Sequence, residues 1–435
     1  MKIFLVENKI GKNLEGSQKS SFYKFLTQAQ NPDSDVTKTV SEIIATVKKT
    51  GDKALVSYSN KFDKAAFKTA ADFLATEKEI NAAEKLLKKE VKDALKLAFT
   101  RIKNYHQKQL PKDFHFKDAA GIELGNIWRA IESVGVYAPG GTASYPSSVL
   151  MSAVPALVAG VSEISICAPT SAGKINPAIL FAAKLCGVKK IYKIGGAQAI
   201  AALAVGTKTV SKVNKIVGPG NSYVATAKKL LFGEVGIDMI AGPTDVTIIA
   251  DKSANPDWIA ADALSQLEHG PDSKAFIITD DRDFSLKISS AILRLKSDLP
   301  REQIIEKSLE NSAIFVIKNL EDAVHIANFI APEHLEIATK NPQKFVSKIQ
   351  NAGAIFLGNY TPESIGDYMA GPSHTLPTSA SAKFSSGLSV FDFLKRISLI
   401  SCDEKSFGKL AKATAVLANC EGLQAHALSV TIRKK

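Results

Sequence analysis

The chain has 435 residues, of which 45% are hydrophobic and 23% charged, and its formal net charge is +12. This length predicts two or more α/β units rather than one core, and no apolar run reaches the roughly 18 residues that cross a bilayer. Because the lysines are interleaved with Glu and Asp, the net charge indicates a solvated basic surface rather than a nucleic-acid site.

Cysteine use and the first residues bear on the cellular compartment. The four cysteines are far apart in the sequence, which argues against a disulfide framework and against a thiolate zinc site. The first residues show no secretory signal pattern. We therefore expect a cytoplasmic protein that does not associate with a membrane.

The first part of the chain, to about Lys117, is predicted to be mostly helical. Apolar residues recur at helical spacing in residues 34–59 and again in residues 76–107. Gly51 and Asp52 interrupt the first of these stretches.

From about Ile131, short apolar runs alternate with glycine turns and alanine-rich helical patterns. Strands are predicted at residues 133–137, 163–167, 190–194 and 215–217, each followed by a turn and a helix. Such units predict a parallel sheet with ligands at the carboxyl ends of its strands. Glycine turns at Gly140, Gly195 and Gly218 fall at those ends, but none matches the dinucleotide fingerprint GxGxxG. They either bind a phosphate-bearing cofactor at helix N-termini or simply connect strand to helix.

A second α/β series follows, with strands predicted at residues 246–250, 275–279, 313–317 and 354–357. After Gly387 the chain reads as a helical tail with no clear sheet pattern. We predict an α/β fold of two incomplete, Rossmann-like parallel-sheet domains with a helical N-terminal part. The predicted divisions are an N-terminal segment (1–22), a first domain (23–132 with 244–388), a second domain (133–243) and the C-terminal tail (389–435).

One predicted helix carries polar residues at metal-ligand spacing. Asn255 and Pro256 are typical of a helix start, and Asp262, Gln266 and His269 then follow at intervals of four and three residues, on one face. Buried polar groups need partners, and imidazole with oxygen ligands suits zinc or manganese. A hydrogen-bonded helix end explains the helix equally well.

Further pairs of acidic residues and histidines occur later in the chain. Glu333 and His334 lie at a loop-to-strand junction and suit general acid–base catalysis. Asp367 and His374 lie in a loop rich in Gly and Pro, and the last pair, near the C-terminus, is Glu421 and His426. Such clusters are candidate sites, although structural ion pairs also occur.

Taken together, these motifs resemble those of the histidinol dehydrogenase family, from about Val40 to His426. The motifs that carry the resemblance are residues 135–141 (GVYAPGG), 195–199 (GGAQA), 217–221 (VGPGN), 241–244 (AGPT), 265–270 (SQLEHG), 332–336 (PEHLE), 366–368 (GDY), 374–378 (HTLPT) and 421–423 (EGL). The chain departs from the commonest family pattern at Thr244 and Asp245, where Ser and Glu are more frequent. Since Thr keeps the hydroxyl, we expect the contact made there to survive.

The resemblance implies an enzyme of histidine biosynthesis that oxidises L-histidinol through L-histidinal to L-histidine, with two NAD and one zinc per subunit. The implied zinc ligands are Gln266, His269, Asp367 and His426. The implied substrate contacts are Thr244, Gln266, His269, His334, Asp367, His374, Glu421 and His426. The implied NAD contacts are Tyr137, Gln198 and Asn221. For catalysis we expect His334 to act as the base and Glu333 to activate water in the second step.

The resemblance also implies a homodimer in which the C-terminal tail of one subunit reaches the site of the other. Glu421 and His426 would then act across the subunit boundary. Alternative functions are a metal-dependent hydrolase, a dehydrogenase of another amino alcohol, and a non-catalytic binding protein with a basic surface. Because Glu333 and His334 occur together with all four implied ligands, the non-catalytic alternative is disfavoured.

Overall fold

The computed structural model describes residues 1–6, 10–11, 14, 19–27, 34–140 and 144–433. Gly141 of the first glycine turn, part of the predicted segment 1–22, and residues 434 and 435 lie outside these ranges. The strands are β1 (Lys2–Val6), β2 (Phe114–Lys117), β3 (Glu123–Ala130), β4 (Ser133–Tyr137), β5 (Glu163–Cys167), β6 (Lys190–Tyr192), β7 (Lys215–Val217), β8 (Gly236–Ile237), β9 (Asp245–Ala250), β10 (Lys274–Thr279), β11 (Ala313–Ile317), β12 (His334–Ala338), β13 (Ala354–Leu357) and β14 (Leu394–Ser401).

The helices are α1 (Ser21–Leu26), α2 (Ser34–Thr50), α3 (Asp52–Asp63), α4 (Glu77–Leu86), α5 (Lys89–Gln107), α6 (Pro146–Ala159), α7 (Pro177–Leu185), α8 (Gly196–Val205), α9 (Ser222–Leu231), α10 (Pro256–Leu267), α11 (Arg282–Lys296), α12 (Glu302–Glu310), α13 (Ala323–Ile330), α14 (Gln343–Val346), α15 (Glu363–Tyr368), α16 (Glu404–Cys420) and α17 (Gln424–Thr431). In the part of the chain that the structure describes, no helix is long and apolar enough to cross a membrane.

Two parallel sheets form the centre of the fold, as predicted. The five-stranded sheet has the order β6-β5-β4-β7-β8, and the six-stranded sheet has the order β1-β11-β10-β9-β12-β13. Every residue of β9 is buried, which is expected of a central strand covered by helices on both faces. The strands predicted in both series are all present, with bounds that differ by at most two residues. The prediction of an α/β fold with two parallel sheets is confirmed.

Strand β1 and a third sheet were not predicted. Strand β1 pairs with β11 in parallel and adds an edge to the six-stranded sheet. Strand β14 pairs with β3 along its whole length in an antiparallel sheet of three strands, β14-β3-β2. The expectation of a tail without sheet structure is therefore wrong. Its residues, LKRISLIS, do not alternate strictly between polar and apolar, so the period of a strand is weak there.

The N-terminal helices pack on the five-stranded sheet and its helices. Apolar side chains of α2 to α5 share two hydrophobic clusters with residues of β4 to β7 and α6 to α9. The predicted division of the chain remains a prediction, but these contacts differ from its grouping of residues 23–132 with residues 244–388. The amphipathic patterns of these helices indicated a buried face without indicating which sheet would cover it.

The two sheets present opposite ends to a common cavity. Gly140 and the turn that begins at Gly218 follow the carboxyl ends of β4 and β7, whereas Thr244 and Glu333 precede the amino ends of β9 and β12. All of these residues line one cavity of about 390 Å³. The functional residues of the six-stranded sheet therefore lie at its amino ends, not at the carboxyl ends that parallel sheets usually use.

Candidate active site

Eight side chains converge at the amino ends of β9 and β12, and we call them the acid–histidine cluster. Its members come from the loop before β9, the end of α10, the start of β12, α15 and the loop after α15. They are Thr244, Gln266, His269, Glu333, His334, Glu363, Asp367 and His374.

Helix α10 and the residues just after it position two members of the cluster, Gln266 and His269. Asn255 caps the helix by accepting a hydrogen bond from the Asp257 N–H at 2.8 Å, and Pro256 occupies the first turn, as predicted. Gln266 is fully buried in the last turn, whereas His269 lies two residues past the helix end. The prediction that His269 belongs to the helix itself is therefore wrong, because the backbone leaves the helix at Glu268.

Asp262 lies on the same helix, at the edge of the cluster, and lines a separate small pocket with Glu336. Its carboxyl hydrogen-bonds to Glu336, and burial raises its pKa to about 6. The three polar residues of this helix thus serve two different environments, although helical spacing places them on one face.

Helix α15 supplies two carboxylates four residues apart, Glu363 and Asp367, on the same face. Burial raises the pKa of Asp367 to about 6 and raises that of Glu363 well above its ordinary value. Glu363 was not predicted as a site residue, although the spacing of the two acids on a short helix was a usable signal. The His269, Glu363 and Asp367 ligand atoms all lie within 4.8 Å of one another, an arrangement that could hold a metal ion.

Gln266 joins this group through its side-chain amide. Its amide nitrogen donates to the Thr244 hydroxyl, and its amide oxygen lies 2.6 and 2.5 Å from the two Glu363 carboxylate oxygens, a contact between acceptors that a proton on Glu363 or a bound cation would relieve. The structure thus brings together three of the four predicted metal ligands, Gln266, His269 and Asp367.

His334 is buried at the first position of β12, and its surroundings determine its tautomer. Its Nδ1 lies 3.3 Å from the Asp245 carbonyl oxygen, which can only accept, so Nδ1 carries the proton. Nε2 is then unprotonated, and within the described part of the chain it has no hydrogen-bond partner. Burial lowers the pKa of His334 to about 3, so the ring is neutral at physiological pH.

Glu333 precedes His334 and is also buried. The Thr244 hydroxyl and the Asp245 N–H both donate to its Oε2, the latter at 3.3 Å. Burial is the main cause that raises the pKa of Glu333 well above its ordinary value. Asp245 is fully buried beside it, with a pKa raised by burial to about 7.

His374 closes the cluster from the loop after α15. Its Nδ1 donates to the Asp367 carbonyl oxygen at 3.1 Å, which leaves Nε2 to accept from the Ser148 hydroxyl at 3.1 Å. Burial lowers the pKa of His374 to about 4. Ser148, on α6, ties the five-stranded half of the molecule to the cluster, and no sequence pattern had indicated it.

The opposite wall of the cavity consists of Gly140 and residues 218–221. Together with Gly195 and Gly196 of the remaining glycine turn, these residues form what we call the glycine-turn face. A second cleft of about 1000 Å³ lies along this face, and Tyr137, Gln198 and Asn221 all line it. Gly140 and Asn221 line both cavities. The residues predicted to contact NAD are thus gathered in one cleft that adjoins the acid–histidine cluster.

Glu421 and His426 are not near the cluster of their own chain. Both are exposed, at the end of α16 and in α17, and neither lines the cavities around His269 and Asp367. Their predicted roles require a second subunit and stay predictions.

Imidazoles and carboxylates beside a cleft of about 1000 Å³ fit the active site of an oxidoreductase that binds a dinucleotide. Comparison with known proteins agrees. The sequence profile of the histidinol dehydrogenase family matches residues 26–434. A histidinol dehydrogenase from Rhodopseudomonas palustris is 51% identical over 95% of this chain and 96% of its own, and histidinol dehydrogenase 1 from Nostoc is 47% identical over 95% of each chain.

A solved structure is similar along the whole chain. The crystal structure of histidinol dehydrogenase from Elizabethkingia anophelis superimposes with a TM-score of 0.93 at 36% identity, covering 100% of this chain and 98% of that one. The chain belongs to the histidinol dehydrogenase family.

Proposed function

We propose that this chain oxidises L-histidinol through L-histidinal to L-histidine at the acid–histidine cluster, with NAD bound along the glycine-turn face. Family membership makes the chain an NAD-dependent oxidoreductase of histidine biosynthesis. The observation that carries the placement is the shared cavity, in which Gly140 and Asn221 of the cofactor cleft face His334 and Glu333. As an enzyme of a biosynthetic pathway, it is proposed to act in the cytoplasm.

The donor set of the cluster fits a zinc ion. Glu363 and Asp367 are buried carboxylates with raised pKa values, and a divalent cation would supply the positive charge that stabilises their ionised forms. Gln266, His269 and Asp367 would hold the ion, with His426 of a second subunit, and Glu363 is a further donor within reach. Bound there, zinc would fix the imidazole and amino nitrogens of histidinol, as a template more than as a Lewis acid.

His334 is the proposed general base. Because Nδ1–H is held by the Asp245 carbonyl, Nε2 keeps its lone pair, 3.8 Å from Asp367 Oδ1. It can take the proton of the substrate hydroxyl while hydride leaves the carbon that bears this hydroxyl for NAD. The buried position keeps the ring neutral before the reaction. The aldehyde that results stays in the cavity for the second step.

Glu333 is the proposed activator of water in that second step. Thr244 and the Asp245 N–H hold Oε2 of its carboxyl group. In the ionised form, which a bound divalent cation would favour, its other oxygen would take a proton from the water that adds to the aldehyde. Oxidation of the hydrate transfers a second hydride to a second NAD, and His334, after releasing the first proton to solvent, accepts a proton from a hydroxyl of the hydrate. Thr244, His374 and, from a second subunit, Glu421 are the remaining proposed substrate contacts.

The proposed NAD contacts are Tyr137, Gln198 and Asn221. The Tyr137 hydroxyl accepts a hydrogen bond from Gly196 N–H at 3.0 Å, at the start of α8, and Asn221 caps α9. Both helices direct their N-termini at the cleft, and free N–H groups at such ends favour the phosphates of a dinucleotide.

A homodimer would complete the site. A groove of about 640 Å³ leads to His269, Glu363 and Asp367, and part of its wall is apolar, with Val91, Leu95 and Leu150 among its residues. The C-terminal helices expose apolar side chains that a single chain leaves uncovered: Leu410, Val416, Leu417, Leu423, Leu428 and Ile432. We propose that the tail of one subunit fills the groove of the other.

Complementation between inactive variants tests this sharing. His334→Asn and His426→Asn are each expected to be inactive alone. When the two are co-expressed, random pairing places one complete site in half of the dimers, so about a quarter of wild-type activity should return. If the tail acts on its own chain, no mixture regains activity.

The function itself is tested by NADH absorbance with zinc-loaded protein, NAD and L-histidinol, with histidine quantified in parallel. Two NADH per histidine are expected for the four-electron oxidation. Absence of NADH from folded, zinc-loaded protein would contradict the proposal and favour another amino alcohol or a hydrolytic reaction.

A further inference from the structure

A buried ion pair lies directly beneath the third glycine turn. Lys228 of α9 and Asp238, after β8, contact each other with side chains that are 2% and 0% exposed. Both line the cavity of the acid–histidine cluster. The reaction scheme above uses neither residue, and a buried ion pair is not by itself a favourable way to stabilise a fold.

The pair holds both polar groups of one residue, Gly218. Lys228 Nζ donates to the Gly218 carbonyl oxygen at 3.0 Å, and Asp238 Oδ2 accepts from the Gly218 N–H at 2.7 Å. Asp238 Oδ1 also accepts from the Met239 N–H at 2.7 Å, which anchors the acid. The peptide planes on both sides of Gly218 are thereby fixed in orientation.

The conformation so fixed is one that glycine adopts without strain and that leaves no room for a side chain. Gly218 has φ +114°, and a Cβ atom on it would lie 2.2 Å from the Tyr137 carbonyl oxygen. The turn thus passes close to the backbone of Tyr137. The Tyr137 hydroxyl in turn accepts a hydrogen bond from the Gly196 N–H, in another glycine turn. Three residues beyond Gly218, Asn221 begins α9.

We infer that Lys228 and Asp238 are positioning residues for the cofactor: they hold the 218–221 turn in the shape that binds NAD. The inference rests on the proposed cofactor site, since it acts through Asn221 and the turn that carries it. The pair provides partners for both backbone polar groups of Gly218, the residue that opens this turn, so the shape of the turn depends on it.

Steady-state kinetics with Lys228→Met tests the inference, with Lys229→Met as the matched control because Lys229 is the exposed neighbour on the same helix. Loss of a charge-assisted hydrogen bond is expected to raise the KM for NAD about tenfold. The KM for histidinol and the zinc content should stay near the wild-type values. Lys229→Met should change none of these quantities.

The double variant Lys228→Met/Asp238→Asn separates positioning from folding. It removes both charges together, so thermal unfolding should return towards wild type, while the KM for NAD stays raised because no donor reaches the Gly218 carbonyl. A folded double variant with a wild-type KM for NAD would overturn the inference. If neither of these variants folds, NADH is titrated into Asp238→Asn, which keeps an acceptor for the Gly218 N–H. A lower affinity for NADH would support the inference, and wild-type affinity would overturn it.

Asn221→Ala distinguishes failure of the inference from failure of the proposed cofactor site. If Asn221→Ala leaves the KM for NAD unchanged, NAD does not bind at this turn and both proposals fall. If Asn221→Ala raises the KM and the Lys228 variants do not, only the positioning role is wrong.

Discussion

The two walls of the active-site cavity differ in composition: one is mainly backbone and the other is mainly polar side chains. The glycine-turn face consists of backbone at the carboxyl ends of parallel strands, and glycines allow its turns. The ion pair of Lys228 and Asp238 hydrogen-bonds to the backbone of Gly218 in this face. The acid–histidine cluster consists of side chains at the amino ends of the other sheet, of which Gln266, Glu333, His334 and Glu363 are buried, and several have strongly shifted pKa values. The first wall should be sensitive to added atoms, and the second to altered charge.

The largest effect is expected from removing the base on the acid–histidine cluster. His334→Asn should lower kcat by about 10²- to 10⁴-fold, because it removes the unprotonated ring nitrogen proposed to take the proton of the substrate hydroxyl. Initial rates of NADH formation measure the effect. Zinc content and the KM for NAD should remain near wild type. Retention of full kcat would show that His334 is not the base.

Added volume on the glycine-turn face should give the next largest effect. Gly218→Ala places a methyl group on the Tyr137 carbonyl oxygen, so we expect a loss of roughly 1–3 kcal/mol in the free energy of unfolding together with a raised KM for NAD. Chemical denaturation and kinetics measure the two quantities.

Gly187→Ala is the matched control for that change. Gly187 also has positive φ, at +71°, but a Cβ atom there would meet nothing within 4 Å. Gly187→Ala should therefore show only the modest penalty of its backbone conformation, with an unchanged KM for NAD. Equal behaviour of the two variants would mean that the close approach at Gly218 has no consequence.

The two walls also differ in how far they could be predicted. The strands that end at Tyr137 and Val217 are short apolar runs closed by glycine, so local pattern sufficed. Glu363 was not predicted because it lies outside the family motifs that carried the resemblance. Strand β14 was not predicted because it pairs with β3, which lies more than 250 residues earlier in the chain. Local pattern also carries no information on which ends of the two sheets meet, so the amino-end position of His334 needed the structure.

A smaller effect is expected at the edge of the acid–histidine cluster, at Asp262. Burial raises the pKa of Asp262 from an ordinary 3.8 to about 6. Between pH 3.8 and about pH 6, Asp262 is therefore mostly protonated in the folded protein and mostly ionised in the unfolded chain. Above that window, ionisation of Asp262 destabilises the fold. Asp262→Asn should thus be more stable than wild type at about pH 7.5, with the advantage shrinking as the pH falls towards about 4.

Asp257→Asn, one turn earlier on α10, is the control for this pH dependence. Asp257 is half exposed and pairs with Arg294 at 2.6 Å, an interaction worth little at a surface. Denaturation of wild type and both variants across this pH range measures the differences. An Asp262→Asn variant that is less stable than wild type at about pH 7.5 would contradict the assigned direction.

NAD binding is assigned to the glycine-turn face and zinc binding to the acid–histidine cluster. Fluorescence titration of NADH into two variants tests this assignment most directly. His269→Asn should lose zinc yet bind NADH with wild-type affinity, because His269 belongs to the acid–histidine cluster. Asn221→Ala should retain zinc and bind NADH more weakly. If His269→Asn loses NADH binding while Asn221→Ala keeps it, the two walls do not have the separate roles assigned to them.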